Sequence, residues 1–295
     1  MNVSLIGLGN MGFGIAANLA KAGMSVKGFD LNPEALARAK AAGVEPADSL
    51  EECLDGADCV SLCLLGHVAT KVALEEVLPR VGGGAVKAVI DHSTFSANES
   101  RRLAKAFGDA GTVYLDAQIS GGKKGSEAGE LSVFVGGEKT VFEALEDYWS
   151  AIGDEERIHY CGASGSGQVA KAIQNLQSWC SWAQRVEIMA FGLRRGFSKE
   201  LVVSVCKDAP DMKRIADWIE EDHRDRLNCL PAEWPYFVDE AENDNSLPML
   251  RAAWEFAKTR GEPFTDFLGR ETYDFWKALL DPPKPGKPKP GERSE

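Results

Sequence analysis

The chain has no run of about 18 apolar residues, the length a membrane-spanning helix needs, so no membrane partner is expected. No basic segment precedes the early apolar run Val3-Ser4-Leu5-Ile6, so no signal peptide is expected and the reading is cytoplasmic. Positive charge is in deficit: 33 Lys and Arg against 45 Asp and Glu leave a net charge of −12. A nucleic-acid backbone binder needs a net basic face, so nucleic acid is not an expected partner, although a small anion held by backbone amides remains compatible. Histidine is scarce, and the four present (67, 92, 159 and 223) form no H-x-x-H or H-E-x-x-H spacing. The seven cysteines are odd in number and scattered, which argues for free thiols rather than a disulfide framework. Cys59 and Cys63 share one side of a candidate strand, but two thiols without further ligands are too few for zinc. No metal is expected, and no internal repeat of 20–50 residues is visible.

What is present is an alternation. Short β-branched or apolar runs at 3–7, 25–30, 59–64, 88–91, 112–116 and 131–136 read as strands. Between them, 12–22, 33–42, 68–78 and 98–110 carry apolar residues three and four apart, the spacing of amphipathic helices. Strand–helix–strand at this spacing predicts βαβ units and a parallel sheet. After the Gly/Ser cluster at 162–167 the pattern changes to one long helical stretch, 168–193, followed by further helical segments to about 280. Residues 281–295 are rich in Pro, Lys and Gly and predict a disordered tail.

Gly7-Leu8-Gly9-Asn10-Met11-Gly12 fits G-x-G-x-x-G directly after a strand and opening a helix. In that context the first glycine serves a tight turn, the second lets a pyrophosphate approach the backbone, and the third packs helix on strand. The helix N-terminus meets phosphate charge with free N–H groups. Asp30 closes the second strand, where a carboxylate accepts the adenosine ribose hydroxyls and repels a 2′-phosphate; no arginine follows at once, which favours NAD over NADP. The fold expectation is an α/β Rossmann-like N-terminal domain (1–163) plus an all-α C-terminal domain (164–280) linked by a long helix.

Two further segments bear on chemistry. Ser120-Gly121-Gly122 presents a hydroxyl and consecutive bare amides, either a cradle for a carboxylate or an ordinary strand-to-loop turn. Lys171 and Asn175 lie four apart on the long helix, near glycines 165 and 167 that permit close approach. From these residues alone two readings stay open for Lys171. One is a partly desolvated general acid/base; the other is a solvated lysine paired with a helix neighbour.

Taken in order, Gly7–Gly12 with its following helix, the segment 116–122 and the segment 165–175 resemble the β-hydroxyacid dehydrogenase family, which includes 3-hydroxyisobutyrate dehydrogenase. Asp91-His92-Ser93-Thr94 is similar to the family's D-x-S-T. The resemblance implies that Leu64 and Leu65 line the adenosine side and that Thr94 contacts the nicotinamide half. It further implies that Ser120, Gly121 and Gly122 hold substrate, and that Lys171 is the acid/base with Asn175 positioning beside it. It also implies a small hydroxy acid or semialdehyde as substrate and a homodimer or homotetramer. This chain departs from the family where Gln118 and Ile119 replace Pro-Val and where Gln174 replaces a first asparagine. The family's late Lys-Asp pair is missing from 242–248. The other readings are an imine reductase of the same superfamily, against which Lys171 counts, and a non-catalytic NAD-binding regulator. Trp179, at the edge of the Lys171 helix face and leaning back along it, predicts a pocket for a bulkier substrate tail; packing of the domain junction is the alternative.

Overall fold

The computed structural model describes residues 1–84, 86–206 and 212–213. The chain forms two compact units, Met1–Gln174 and Asn175–Glu295. The helical segments expected beyond residue 213, the 242–248 stretch and the 281–295 tail lie outside the described residues, as do the side chains of Trp179 and Trp182.

In the first unit β1 (Asn2–Ile6), α1 (Gly12–Lys21), β2 (Ser25–Phe29), α2 (Pro33–Ala41) and the short β3 (Glu45–Pro46) open the sheet, and α3 (Leu50–Leu54) leads to β4 (Cys59–Leu62). The chain returns through α4 (Gly66–Lys71), a π-helical stretch (Val72–Val77) and α5 (Leu78–Val81) to β5 (Ala88–Asp91). It then passes through α6 (Ala97–Asp109) to β6 (Val113–Ser120). These strands are parallel in the order β3-β2-β1-β4-β5-β6, reversing at β1 as a doubly wound sheet does. Helix starts are set by local chemistry. Asn32 accepts the Glu34 N–H ahead of α2 with Pro33 behind it, and Ser49 and Ser96 cap α3 and α6 in the same way.

Beyond β6 the structure departs from the parallel pattern. After α7 (Gly122–Ala128), β7 (Leu131–Gly136) pairs antiparallel with β6, because the ten residues between Ser120 and Leu131 are too few for a crossover. Through α8 (Lys139–Ala144) and α9 (Glu146–Ile152) the chain reaches β8 (Gly153–Gly162), parallel to β7 at the sheet edge. β8 escapes a hydrophobic reading because Asp154, Glu155, Glu156 and Arg157 fill it, the charge that blunts an exposed edge. β6 also runs on to Ser120 rather than stopping at Asp116: Asp116 and Gln118 are polar yet fully buried.

Strand alternation sorts the core onto two faces. Val3, Leu5, Ile90, Leu115 and Ala117 pack with Ile15 and Leu19 of α1 and with Tyr148 and Trp149 of α9. Ile6, Val60, Leu62, Val89 and Tyr114 pack with Leu103 and Phe107 of α6. Buried aromatics such as Trp149 and Phe107 each contribute roughly 1.5–3 kcal/mol relative to exposure. The Trp149 indole N–H is satisfied by the Phe142 carbonyl at 2.9 Å. The long helix α10 (Ser166–Arg194) begins in the first unit and continues in the second, followed by α11 (Lys199–Val205), capped by Ser198. At Gly192 a Cβ would strike Val202, so this glycine permits the approach of α11 to α10. Among the described residues no helix is long and apolar enough to cross a membrane.

Candidate active site

The loop after β1 is shaped by missing side chains. Gly7 adopts φ +95°, and a Cβ there would strike the Cys63 carbonyl. A Cβ on Gly12 would overlap the Gly7 carbonyl, so this glycine allows α1 to start against β1, and one on Gly14 would strike Ser126 of α7. At Gly9, by contrast, a Cβ would meet no heavy atom within 4 Å. Exposed Gly9 and Asn10 thus present bare backbone to open space, while Leu8 is buried and Met11 half-buried. The loop is braced from behind: Ser126 Oγ donates to the Met11 carbonyl at 2.6 Å, and Asn18 Nδ2 donates to the Ser126 carbonyl at 2.8 Å.

Asp30 stands directly beyond β2. Its Oδ2 accepts the Leu8 N–H at 2.6 Å and its Oδ1 the Asn32 N–H at 2.8 Å, which fixes the carboxylate beside the glycine loop. Arg38, eight residues on and absent from the sequence reading, reaches the same loop from α2. Its Nη2 donates to the Leu8 and Gly9 carbonyls at 2.8 and 3.2 Å, and its guanidinium carbon lies 4.2 Å from the Phe13 ring centroid. A turn with exposed backbone, a helix opening behind it and a fixed carboxylate at the second strand end fit a dinucleotide. β4 ends at Leu62, two residues earlier than the apolar run suggests, and the Cys63 carbonyl lies against Gly7 of the loop. Leu64 and Leu65 therefore lie in the connection to α4; the Leu64 N–H donates to Ser93 Oγ at 3.0 Å, and the Leu65 side chain is exposed. Burial pushes the Cys63 thiol up to about 12, so it stays protonated and inert.

The ends of β5 and β6 are organised by side chains instead. Asp91 and Asp116 are register partners on neighbouring strands, both fully buried. Asp91 accepts the Ser93 N–H at 2.8 Å and the Tyr114 hydroxyl at 3.0 Å, and burial raises its pKa to about 6. Asp116 reaches the start of α10, accepting the Gly165 N–H at 2.7 Å and the Gln168 N–H at 3.1 Å; burial raises its pKa as well. A Cβ on Gly167 would strike the Asp116 and Phe134 carbonyls, which is why glycine stands where the helix meets the sheet. His92 is structural. Burial lowers its pKa to about 4, so it is neutral; Nδ1 donates to the Ala117 carbonyl at 2.7 Å, and Nε2 accepts from Tyr148 at 2.9 Å. The Tyr148 hydroxyl hydrogen being used, Ser61 donates to Tyr148 at 2.7 Å.

Lys171 lies one turn past Gln168 on α10, 9% exposed, and its Nζ donates to the Ile119 carbonyl at 2.9 Å. The amine is therefore held at the end of β6, one residue before the half-buried Ser120 that closes the strand. Gly121 and Gly122 follow with φ +142° and +60°, and a Cβ on Gly122 would meet nothing within 4 Å. Thr94, half-buried after β5, donates its hydroxyl to Gln118 Oε1 at 3.2 Å. Asn175 is half-buried one turn farther along α10. Sequence reading passed over Arg38, Gln168 and the capping role of Asp116. Asp116 and Gln168 stood inside the segments singled out, but only the fold reveals their partners.

The sequence matches the family described as the NAD binding domain of 6-phosphogluconate dehydrogenase over residues 2–162. It is 35% identical over 211 residues to 3-hydroxyisobutyrate dehydrogenase of Pseudomonas aeruginosa, covering 70% of each chain. It is 30% identical over 211 residues to 2-(hydroxymethyl)glutarate dehydrogenase of Eubacterium barkeri, covering 70% of this chain and 68% of that one. The structure is similar to a Mycobacterium tuberculosis 3-hydroxyisobutyrate dehydrogenase described with L-serine, with a TM-score of 0.73, 25% identity and coverage of 91% and 98%. The chain belongs to the β-hydroxyacid dehydrogenase family and is an NAD-dependent dehydrogenase/reductase acting on CH–OH groups.

Proposed function

We propose that the protein interconverts a short hydroxy acid and its semialdehyde, with Lys171 as general acid/base. The observation that carries this reading is the buried placement of the Lys171 amine at the end of β6, one residue before Ser120. An amine so enclosed is placed to exchange a proton with a ligand held at Ser120. Bound NAD supplies the hydride acceptor. In oxidation Lys171 takes the hydroxyl proton; in reduction its ammonium returns a proton to the oxygen. Asn175, one turn along, orients that oxygen or the lysine. Ser120 and the amides of Gly121 and Gly122 hold the carboxylate and fix the reacting carbon. On the cofactor side the backbone of Gly7, Leu8, Gly9, Asn10, Met11 and Gly12 accommodates the pyrophosphate, and Asp30 takes the adenosine ribose hydroxyls. Leu64 and Leu65 flank the adenosine, and Thr94 faces the nicotinamide half.

The test is NADH production across hydroxy acids of increasing side-chain size, including 3-hydroxyisobutyrate, 2-(hydroxymethyl)glutarate and L-serine. Lys171→Ala should lower turnover roughly 10²–10⁴-fold with NAD affinity little changed. Near-normal turnover in that variant would remove Lys171 from the mechanism.

A further inference from the structure

The Gln118 side chain, completely buried on β6, replaces a proline of the family pattern and has a fixed orientation. Its Nε2 lies 2.9 Å from the Ser93 carbonyl and 3.4 Å from that of Asp91. Both partners are carbonyls, which only accept, so the amide nitrogen must face them and Oε1 must face Thr94. Gln168 repeats the arrangement from α10. Its Nε2 donates to the same Ser93 carbonyl at 2.9 Å, and its Oε1 accepts the Phe95 N–H at 3.3 Å. The Ser93 carbonyl has two lone pairs and receives one donor from the sheet and one from the helix that carries Lys171. The segment 93–95 is thereby tied to both.

This wiring has a consequence for Thr94. Its hydroxyl has one hydrogen, and that hydrogen is directed at Gln118 Oε1, 3.2 Å away. What Thr94 turns to a ligand is therefore lone pairs, not a donor. A proline at position 118 has no amide and would leave the hydroxyl free to rotate. We propose that Gln118 is a positioning residue that makes Thr94 an obligate hydrogen-bond acceptor for the carboxamide N–H of the nicotinamide ring. This rests on the reading above that NAD lies along the glycine loop with its nicotinamide half at Thr94. The inference adds the polarity of the contact and the residue that sets it.

Equilibrium binding separates the inference from the reading beneath it. Dissociation constants are measured, without substrate, for NAD and for acetylpyridine adenine dinucleotide, in which a methyl group replaces the carboxamide NH₂. The wild type should prefer NAD by roughly fivefold, the worth of one hydrogen bond. Thr94→Val should reduce that ratio to about one and Thr94→Ser should retain it. Gln118→Met, similar in shape but without the amide, should reduce it to about twofold or less. Gln118→Leu serves if the methionine variant does not fold, and thermal melting verifies folding of each. A wild-type ratio of one, or a full ratio in folded Gln118 variants, overturns the proposal. The underlying reading fails separately: Gly9→Val, which fills open space beside the loop, would then bind NAD as tightly as the wild type.

Discussion

Around residues 7–14 the protein keeps side chains out so that backbone can approach backbone, whereas beneath Thr94 and Lys171 it packs polar side chains into the interior to hold backbone in place. At Gly7, Gly12 and Gly14 a single added carbon would meet Cys63, Gly7 or Ser126. At Asp91, His92, Asp116, Gln118 and Gln168 almost every polar atom is matched to a partner across three or more segments. The first region is governed by excluded volume and the second by donor–acceptor matching. An added methyl group should break the first, while exchange of oxygen for nitrogen should retune the second.

Gly12→Ala makes the largest break. The new Cβ overlaps the Gly7 carbonyl, and backbone rather than a flexible side chain must yield. Stability should fall by roughly 3 kcal/mol, the upper range for overpacking, as read from urea midpoints. Gly9→Ala in the same loop should change stability by less than about 0.5 kcal/mol yet weaken NAD binding, since its Cβ points into space open in the protein. Equal destabilisation by both would mean that the loop is not divided between packing and exposure.

The polar region should respond to pH. His92 falls from 6.5 to about 4 on burial, so the unfolded chain binds more protons between those values and stability is lost as pH drops through them. Asp91 rises from 3.8 to about 6, so the folded chain binds more protons there and its contribution declines as pH increases from about 4 to 6. Each contribution is roughly 3 kcal/mol, opposite in sign over nearly the same window, and together they nearly cancel. His92→Gln should therefore lose stability relative to wild type as pH rises from 4 to 6.5. Asp91→Asn should gain relative to wild type over pH 4 to 6. Parallel wild-type and variant curves would show that neither group titrates with folding.

This division also explains what could be read from the sequence. The glycine loop is contiguous, so spacing alone located the turn, the helix start and Asp30. Lys171 came from a second contiguous segment. Nothing local to Asp91 or Gln118 discloses that they meet, because Asp91, Asp116 and Gln168 are brought together by strand register and by the return of α10. The true end of β6, at Ser120 rather than Asp116, is hidden for the same reason. Polar residues in a strand look like its end until their buried partners are known. Arg38 is not legible from spacing, because it is the turn into α2 that carries its guanidinium back to the loop.

Asp116→Asn should have a smaller effect. One of the two N–H groups at the start of α10 keeps an oxygen partner and the other faces an amide nitrogen. The loss should be about 1–2 kcal/mol, typical of a helix N-cap, partly offset by removing a buried charge. Because α10 carries Lys171, turnover should drop about tenfold while NAD binding holds. If NAD binding weakens as much as turnover, the cap supports the whole sheet end rather than the helix alone.

The smallest expected change lies at the adenosine end, where a charged side chain enters the backbone-built loop. Asp30 is pinned by the Leu8 and Asn32 N–H groups, so a 2′-phosphate on a ribose beside it would meet a fixed like charge. Arg38 binds the Leu8 carbonyl, across the residue whose N–H Asp30 holds, and so brings a positive charge to the same place. On the proposed placement of the ribose at Asp30 the carboxylate should decide, because the guanidinium is engaged by two carbonyls and the Phe13 ring. Asp30→Asn keeps an oxygen for one of the two amides but removes the charge. It should reduce the preference for NADH over NADPH about tenfold, or about 1.4 kcal/mol, in fluorescence titrations. Arg38→Ala added to that variant should restore part of the preference, because the phosphate then loses the guanidinium that reaches the loop. An unchanged ratio in Asp30→Asn would mean that the carboxylate serves the loop and not the ribose. A lowered ratio indifferent to Arg38→Ala would confine Arg38 to bracing the loop.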